Sequence, residues 1–260
     1  MNLPAIIAIV VLVVAIGGGG AWYYYENRVP EIDMDVVRIG VDIPYPPYSF
    51  RNNNGELTGF EIDLGNAVCA RLQVQCEWVV VDWDDIIPSL LNNQYDAIMS
   101  SMTITADRRR VVDFGKPYYS TPSVMFVRND SGIDSDSRGA LANRRIGVIG
   151  GTTQHDHVVS NYGNSEIVTF QNATEAAAAM YAGQVDALFS DYPQWEQEFM
   201  LSGDYKVIGR PQQLGSGVAM AFRPGETDLR RFFDMGLDQL KSDGTYTRIR
   251  KNYLFFDVMM

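Results

Sequence analysis

"LLNNQYDAIMSS" (90–101) and "MYAGQVDALFSD" (180–191) are one pattern written twice. Each leaves an apolar helical run, passes a Gln and an Asp, enters a short apolar strand and stops on a polar residue. That residue is Ser101 in the first copy and Asp191 in the second. A second matched pair, "VRIGVDIPY" (37–45) and "RRIGVIGGT" (144–152), precedes each copy. Each copy therefore reads as strand, turn and helix, second strand, helix, then short strand. Strands alternating with helices predict parallel sheets built from βαβ units. In the second copy "NATEAAAAMYAG" supplies the last helix, with Asn172 or Thr174 as N-cap and Gly183 near its end. In the first, Asp82 or Asp84 caps "WDDIIPSLLNNQ", and Pro88 falls within its first turns.

The chain is thus predicted to be α/β, with two similar lobes. After Gly217 a new strand, "VAMAF", and a helix, "ETDLRRFFDMGLDQLKSDG", match nothing in the second copy and are expected to complete the first lobe. The expected organisation is an N-terminal segment (1–25), a linker (26–36), a discontinuous first lobe (37–121 and 219–260) and a second lobe (122–218). The crossings, near 120–123 and 214–219, are rich in Ser, Thr, Pro and Gly, as hinges can be. Ligands of open parallel sheets bind at the carboxyl ends of strands. Ser101, Asp191, Asp42–Tyr45 and Ile149–Gln154 occupy such ends and line one cleft if the lobes face each other.

The 260 residues carry a net charge of -11 and 46% hydrophobic side chains, enough for real cores. Nucleic acid is excluded as a partner, because an acidic surface repels phosphate. From Met1 to Tyr25 there is no charged side chain, and the run ends in "WYYY". It is long enough to cross a hydrocarbon layer of ~30 Å, with an aromatic belt at its end. Two readings stand: an uncleaved anchor, or a signal peptide cut after small residues such as Gly19 and Ala21. Either one exports the remainder. Cys69 and Cys76 flank a predicted helix-to-strand turn, close enough for a disulfide in an exported protein, with two buried thiols as the alternative.

Beyond these readings, "VRIGVDIPYPPYSF", "GELTGFEIDLGNAVCARL", "DWDDIIPSLLNNQYDAIMSSMTITADRR", "IGVIGGTTQ", "DALFSD" and "KSDGTYTRIRKNYL" carry a family resemblance. From about Val37 to Val258 the chain resembles the periplasmic amino-acid-binding proteins of ABC importers, the solute-binding proteins of family 3. The resemblance is to the lysine/arginine/ornithine- and histidine-binding type in particular. The resemblance implies a type II two-lobed clamp, with parallel-rich sheets flanked by helices, that closes on one amino acid and delivers it to an ABC transporter permease. The cysteine spacing also matches that subgroup.

The resemblance further implies site roles. Arg108 would grip the ligand α-carboxylate, and its planar guanidinium suits that anion independently of any family. The backbone N–H groups of Thr103 and Thr153 would share the anion. Asp191 would accept from the α-ammonium, helped by Ser101. Asp42, Tyr45, Trp83, Ser100 and Gln154 would read the side chain, with Ile149 and Glu61 as further candidates. Tyr45 and Trp83 can sandwich an aliphatic stem or a cation, and Asp42 can pair with a distal positive charge. That combination favours arginine, lysine, ornithine or histidine. Each has a plainer reading: Trp83 as core, Asp42 as a turn cap, Glu61 as the acidic first turn of a helix. Trp83 departs from the phenylalanine common in the subgroup, which leaves room for a changed pocket.

Other motifs carry less. "DFG" (113–115) lacks the kinase glycine loop, strand lysine and catalytic loop. "GVIGGTTQ" has no phosphate-loop lysine. His155 and His157 diverge on a helix, with no further ligands to complete a metal shell. No cofactor, metal or catalytic triad is expected, and a monomer is. The alternatives to a binding protein are a cyclohexadienyl- or arogenate-dehydratase-type enzyme on the same fold and a tethered amino-acid sensor.

Overall fold

Two five-stranded sheets emerge from this alternation in a computed structural model that describes residues 32–254. The first sheet has the order β4-β1-β5-β12-β6. Its strands are β1 (Val36–Val41), β4 (Gln75–Val80), β5 (Ala97–Ile98), β6 (Asp113–Phe114) and β12 (Ala221–Phe222). β1 is parallel to β4 and β5, while β12 runs antiparallel to β5 and β6. The second sheet, β11-β7-β10-β8-β9, holds β7 (Ser123–Arg128), β8 (Arg145–Ile149), β9 (Glu166–Phe170), β10 (Ala187–Asp191) and β11 (Tyr205–Gln212). Here β8 is parallel to β9 and β10, and β7 is antiparallel to β10 and β11. A short hairpin pairs β2 (Phe50–Arg51) with β3 (Leu57–Thr58). Helices α1 (Phe60–Leu72), α2 (Ile86–Leu91), α6 (Thr227–Ser242) and α7 (Thr245–Tyr253) belong to the first lobe. The second has α3 (Thr153–Asn161), α4 (Ala173–Tyr181) and α5 (Tyr192–Trp195).

The repeat survives as matched chemistry at the base of each sheet. Arg38 of β1 donates from its backbone N, Nε and Nη2 to Asp96 at 3.0, 3.1 and 2.8 Å. Arg145 of β8 does the same to Asp186 at 2.8, 3.2 and 2.9 Å. Each guanidinium also donates to a carbonyl in the turn before its aspartate, Gln94 in one lobe and Gly183 in the other. A fork that binds a carboxylate bidentately fixes the register of strand against turn. Asp96 is buried, and without Arg38 its charge would keep only the longer contact to Arg223 at 3.6 Å.

Caps and turns explain the local boundaries. Asn172 accepts from Glu175 N at 3.0 Å, and the Glu175 carboxylate accepts from Gln171 N at 3.1 Å, closing the start of α4 reciprocally. Neither Asp82 nor Asp84 caps with its side chain; a single 3-10 turn (Trp83–Asp85) leads into α2 instead. α1 ends on Gln73 in the left-handed conformation (φ 61°), and that reversal brings Cys69 against Cys76. They form a disulfide with Cα atoms 5.9 Å apart. "DFG" is sheet structure: Asp113 and Phe114 form β6, Gly115 N donates to Met220 O, and Asp113 accepts from Gly225 N.

The chain crosses between lobes twice, side by side. Ser123 pairs with Gln212 at the edge of the second sheet, and Tyr119 bridges Val218 on the way to the first. The apolar segment 1–25 lies outside the described residues, among which no helix is long and apolar enough to cross a membrane.

The lobes differ where equivalent glycines meet their neighbours. A Cβ on Gly40 would fall deep inside contact distance of the buried Tyr95 ring, whereas on Gly147 its nearest neighbour would be a Phe170 ring carbon at 3.0 Å. Gly40→Ala is therefore expected to cost about 2–3 kcal/mol in urea unfolding, and Gly147→Ala clearly less.

Candidate functional site

Strand ends from both sheets converge on one cavity. It is lined by Asp42, Tyr45, Trp83, Ser100, Ser101, Thr103 and Arg108 from the first lobe. Ile149, Thr153, Gln154 and Asp191 face them from the second. The cavity also touches Phe189, which sequence reasoning did not single out, and Thr152 and Asn172, which it read only as part of a cleft-lining stretch and as a helix cap. Their signal was available, since Thr152 and Asn172 are N-caps of α3 and α4 at the same end of the sheet.

Asp191 ends β10 and collects donors from both lobes. Its Oδ1 accepts from Ser123 Oγ at 2.8 Å and Gln154 Nε2 at 2.7 Å, and its Oδ2 accepts from Tyr45 Oη at 2.9 Å. Loss of solvent pushes its carboxyl up, and the hydrogen bonds from Ser123, Tyr45 and Gln154 oppose that. The Tyr45 bond crosses the cleft.

Arg108 opens a single 3-10 turn (Arg108–Arg110), its N–H donating to Thr105 Oγ1 at 3.1 Å. The guanidinium donates to Thr103 O at 2.9 Å and, across the cleft, to Gly151 O at 3.2 Å. It also lies 5.2 Å from the Trp83 ring centroid, and Trp83 Nε1 donates to the same Gly151 carbonyl. Burial lowers Arg108 to about 10, which leaves it charged at neutral pH. Since those two carbonyls occupy only part of a five-donor fork, the rest is free to meet an anion. Arg109 and Arg110 do not reach the cavity: Arg109 sits 5.9 Å over Phe114, and Arg110 pairs with Asp107.

Asp42 follows β1, its N–H donating to Ser100 Oγ at 2.9 Å. Burial, with Asp82 nearby, pushes its carboxyl up to about 7. A desolvated carboxylate here is poised for a cation.

Glu61, weighed as a ligand contact, does not line the cavity. It is fully buried in the first turn of α1, behind Ser101. Trp83 does both things weighed for it: half-buried, it packs against the first lobe's core cluster and also faces the cavity. His157 stacks on Phe189 at 5.0 Å, and among the described residues no His, Cys, Asp and Glu group could hold a metal.

Residues 37–256 match the family of bacterial extracellular solute-binding proteins, family 3. The chain is 36% identical to the L-arginine-binding protein of Pseudomonas aeruginosa over 232 residues, covering 85% of this chain and 89% of that one. It is 34% identical to the histidine-binding periplasmic protein of Escherichia coli K12, over 85% of this chain and 88% of that one. A solved periplasmic His/Glu/Gln/Arg/opine family-binding protein from Silicibacter pomeroyi, in complex with lysine, superposes with a TM-score of 0.78 at 34% identity. That match covers 86% of this chain and 99% of the other.

The raised carboxyl of Asp42 has a sign that can be measured. The folded protein holds this proton more tightly than the unfolded chain, so stability gains as pH falls from about 7 toward the ordinary carboxylate range. Asp42→Asn is expected to raise stability without ligand at pH 8, by roughly 2 kcal/mol, and to change it little at pH 4.5. Urea midpoints at the two pH values check this.

Proposed function

The chain belongs to the bacterial extracellular solute-binding proteins, family 3, and from that premise we propose that it captures a basic L-amino acid and passes it to an ABC importer. The observation that carries this reading is that one cavity brings together Asp42, Arg108 and Asp191, two acids and one base. Arg108 suits an α-carboxylate and Asp191 an α-ammonium. Asp42, in the same cavity as Tyr45 and Trp83, suits a second positive charge at the end of the side chain. The names of the relatives, arginine-binding and histidine-binding, agree with that chemistry.

Capture works through the two lobes. Arg108 and Asp191 stand on opposite lobes, so a zwitterion held by both adds contacts that exist only when the cleft is shut. Only such differential contact shifts a clamp toward closure. The cross-cleft bonds of Tyr45, Trp83 and Arg108 mark where the lobes meet. In this reading the protein works as a monomer at the outer face of the cytoplasmic membrane, held there by residues 1–25 or released from them. The clamp has no catalytic role, and arogenate or prephenate should come through incubation with it unchanged.

A thermal-shift screen of the twenty amino acids plus ornithine and citrulline tests the ligand class. Arginine, lysine, ornithine or histidine should stabilise most, by about 2.7 kcal/mol at 100 times Kd. A larger effect from glutamate, glutamine or a branched apolar acid refutes the reading. Arg108→Ala should abolish binding of every amino acid, and Asp42→Asn only that of cationic ones. Affinity for a cationic ligand should rise with pH through about 7, as Asp42 ionises, while stability without ligand falls over the same range.

A further inference from the structure

The two copies of the repeat end on different residues, and the difference has a hidden counterpart. Where the second lobe places Asp191 as the last residue of β10, the first places Ser101, a neutral side chain three residues past β5. An acidic side chain nevertheless lies one layer back. Glu61, 0% exposed, accepts from Ser101 N–H through both oxygens, at 2.8 and 2.9 Å, and from Ser101 Oγ at 2.9 Å. Tyr118 Oη also donates to it. Burial pushes this carboxyl up, and the hydrogen bonds from Tyr118 and Ser101 oppose that by favouring the ionised form.

The hydrogen-bond directions then pass outward to the cavity. A serine hydroxyl has one proton and two lone pairs. The proton of Ser101 goes to Glu61, and one lone pair accepts from Tyr119 Oη at 2.6 Å. What Ser101 Oγ has left for a ligand is a lone pair. Its backbone is held in place by the same acid. Ser101 sits at φ 49°, a left-handed conformation that L-residues avoid, and the bifurcated hydrogen bond from its N–H to both Glu61 oxygens helps to offset that cost.

We propose that Glu61 is a positioning residue that makes Ser101 an acceptor-only group, so that this pole of the cavity admits an ammonium and rejects an oxyanion. Arg108 can only donate, and Ser101 and Asp191 can only accept. A zwitterion can therefore lie in one direction alone. Glu61 contributes to ligand choice without touching the ligand. This inference rests on the amino-acid reading given above.

The test compares L-arginine with 5-guanidinopentanoate, which keeps the carboxylate and guanidinium but lacks the α-ammonium. Titration calorimetry is run on the wild type and on Glu61→Gln. The glutamine matches the shape of the acid but brings its own N–H donors, which turn the Ser101 proton toward the cavity. Glu61→Gln should weaken arginine about tenfold or more and leave 5-guanidinopentanoate within about threefold. Ser101→Ala, which keeps the buried acid, should narrow the same ratio and serves if Glu61→Gln fails to fold. Equal losses for both ligands in the folded variants, or no loss for either, overturn the proposal while the amino-acid reading stands. A wild type that binds none of the amino acids overturns both.

Discussion

A carboxylate taken out of water at the junction of two bodies has to be surrounded by donors, and Asp191 draws them from each side. Ser123 and Gln154 belong to its own lobe, and Tyr45 comes from the other. The Tyr45 ring is itself the first of a stack: Tyr45 on Tyr48 at 5.5 Å, Tyr48 on Tyr119 at 5.0 Å, Tyr119 against Tyr118 at 5.3 Å. The inter-lobe bond is therefore anchored in the aromatic core of the first lobe. Tyr118 and Tyr119 in turn donate toward Glu61 and Ser101. One connected set of side chains thus links the acceptors at both strand ends.

The lobes solve a shared problem in the same way at one end of their sheets and differently at the other. At the base, Arg38–Asp96 and Arg145–Asp186 are near copies, because strand register is a demand common to both. At the cavity end the demands diverge. The second lobe presents its charge directly, while the first hides it behind a hydroxyl. An exposed pair of facing carboxylates would repel each other across the cleft, and a buried acid relayed through serine avoids that contact.

Much of this was legible in the sequence. The repeat located Ser101 and Asp191 because both close a short apolar strand, and a strand end is a local signal. Asn172 was readable as a cap for the same reason, with Glu175 three residues on. Glu61 was the hard case. Its position on α1 looks like any acidic first turn, and only the tertiary path of residues 99–101 brings Ser101 onto it. The tyrosine stack was equally silent, since Tyr45, Tyr48, Tyr118 and Tyr119 come from segments that share no periodicity. The repeat placed residues 149–154 at the cleft, but not the role of the Gly151 carbonyl, because a backbone acceptor is the same for every residue type.

The order of the first sheet, β4-β1-β5-β12-β6, has a consequence for a chain that is still being made. β12 is the only neighbour of β6 in that sheet, and it also covers the far edge of β5. A nascent chain that has not reached residue 221 would hold all five strands of the second sheet and leave β6 with nothing to pair against. Sequence separation is what makes a contact late to form. The lobe begun first in synthesis is the one finished last, and its two halves must wait for each other while the lobe between them already has every strand it needs.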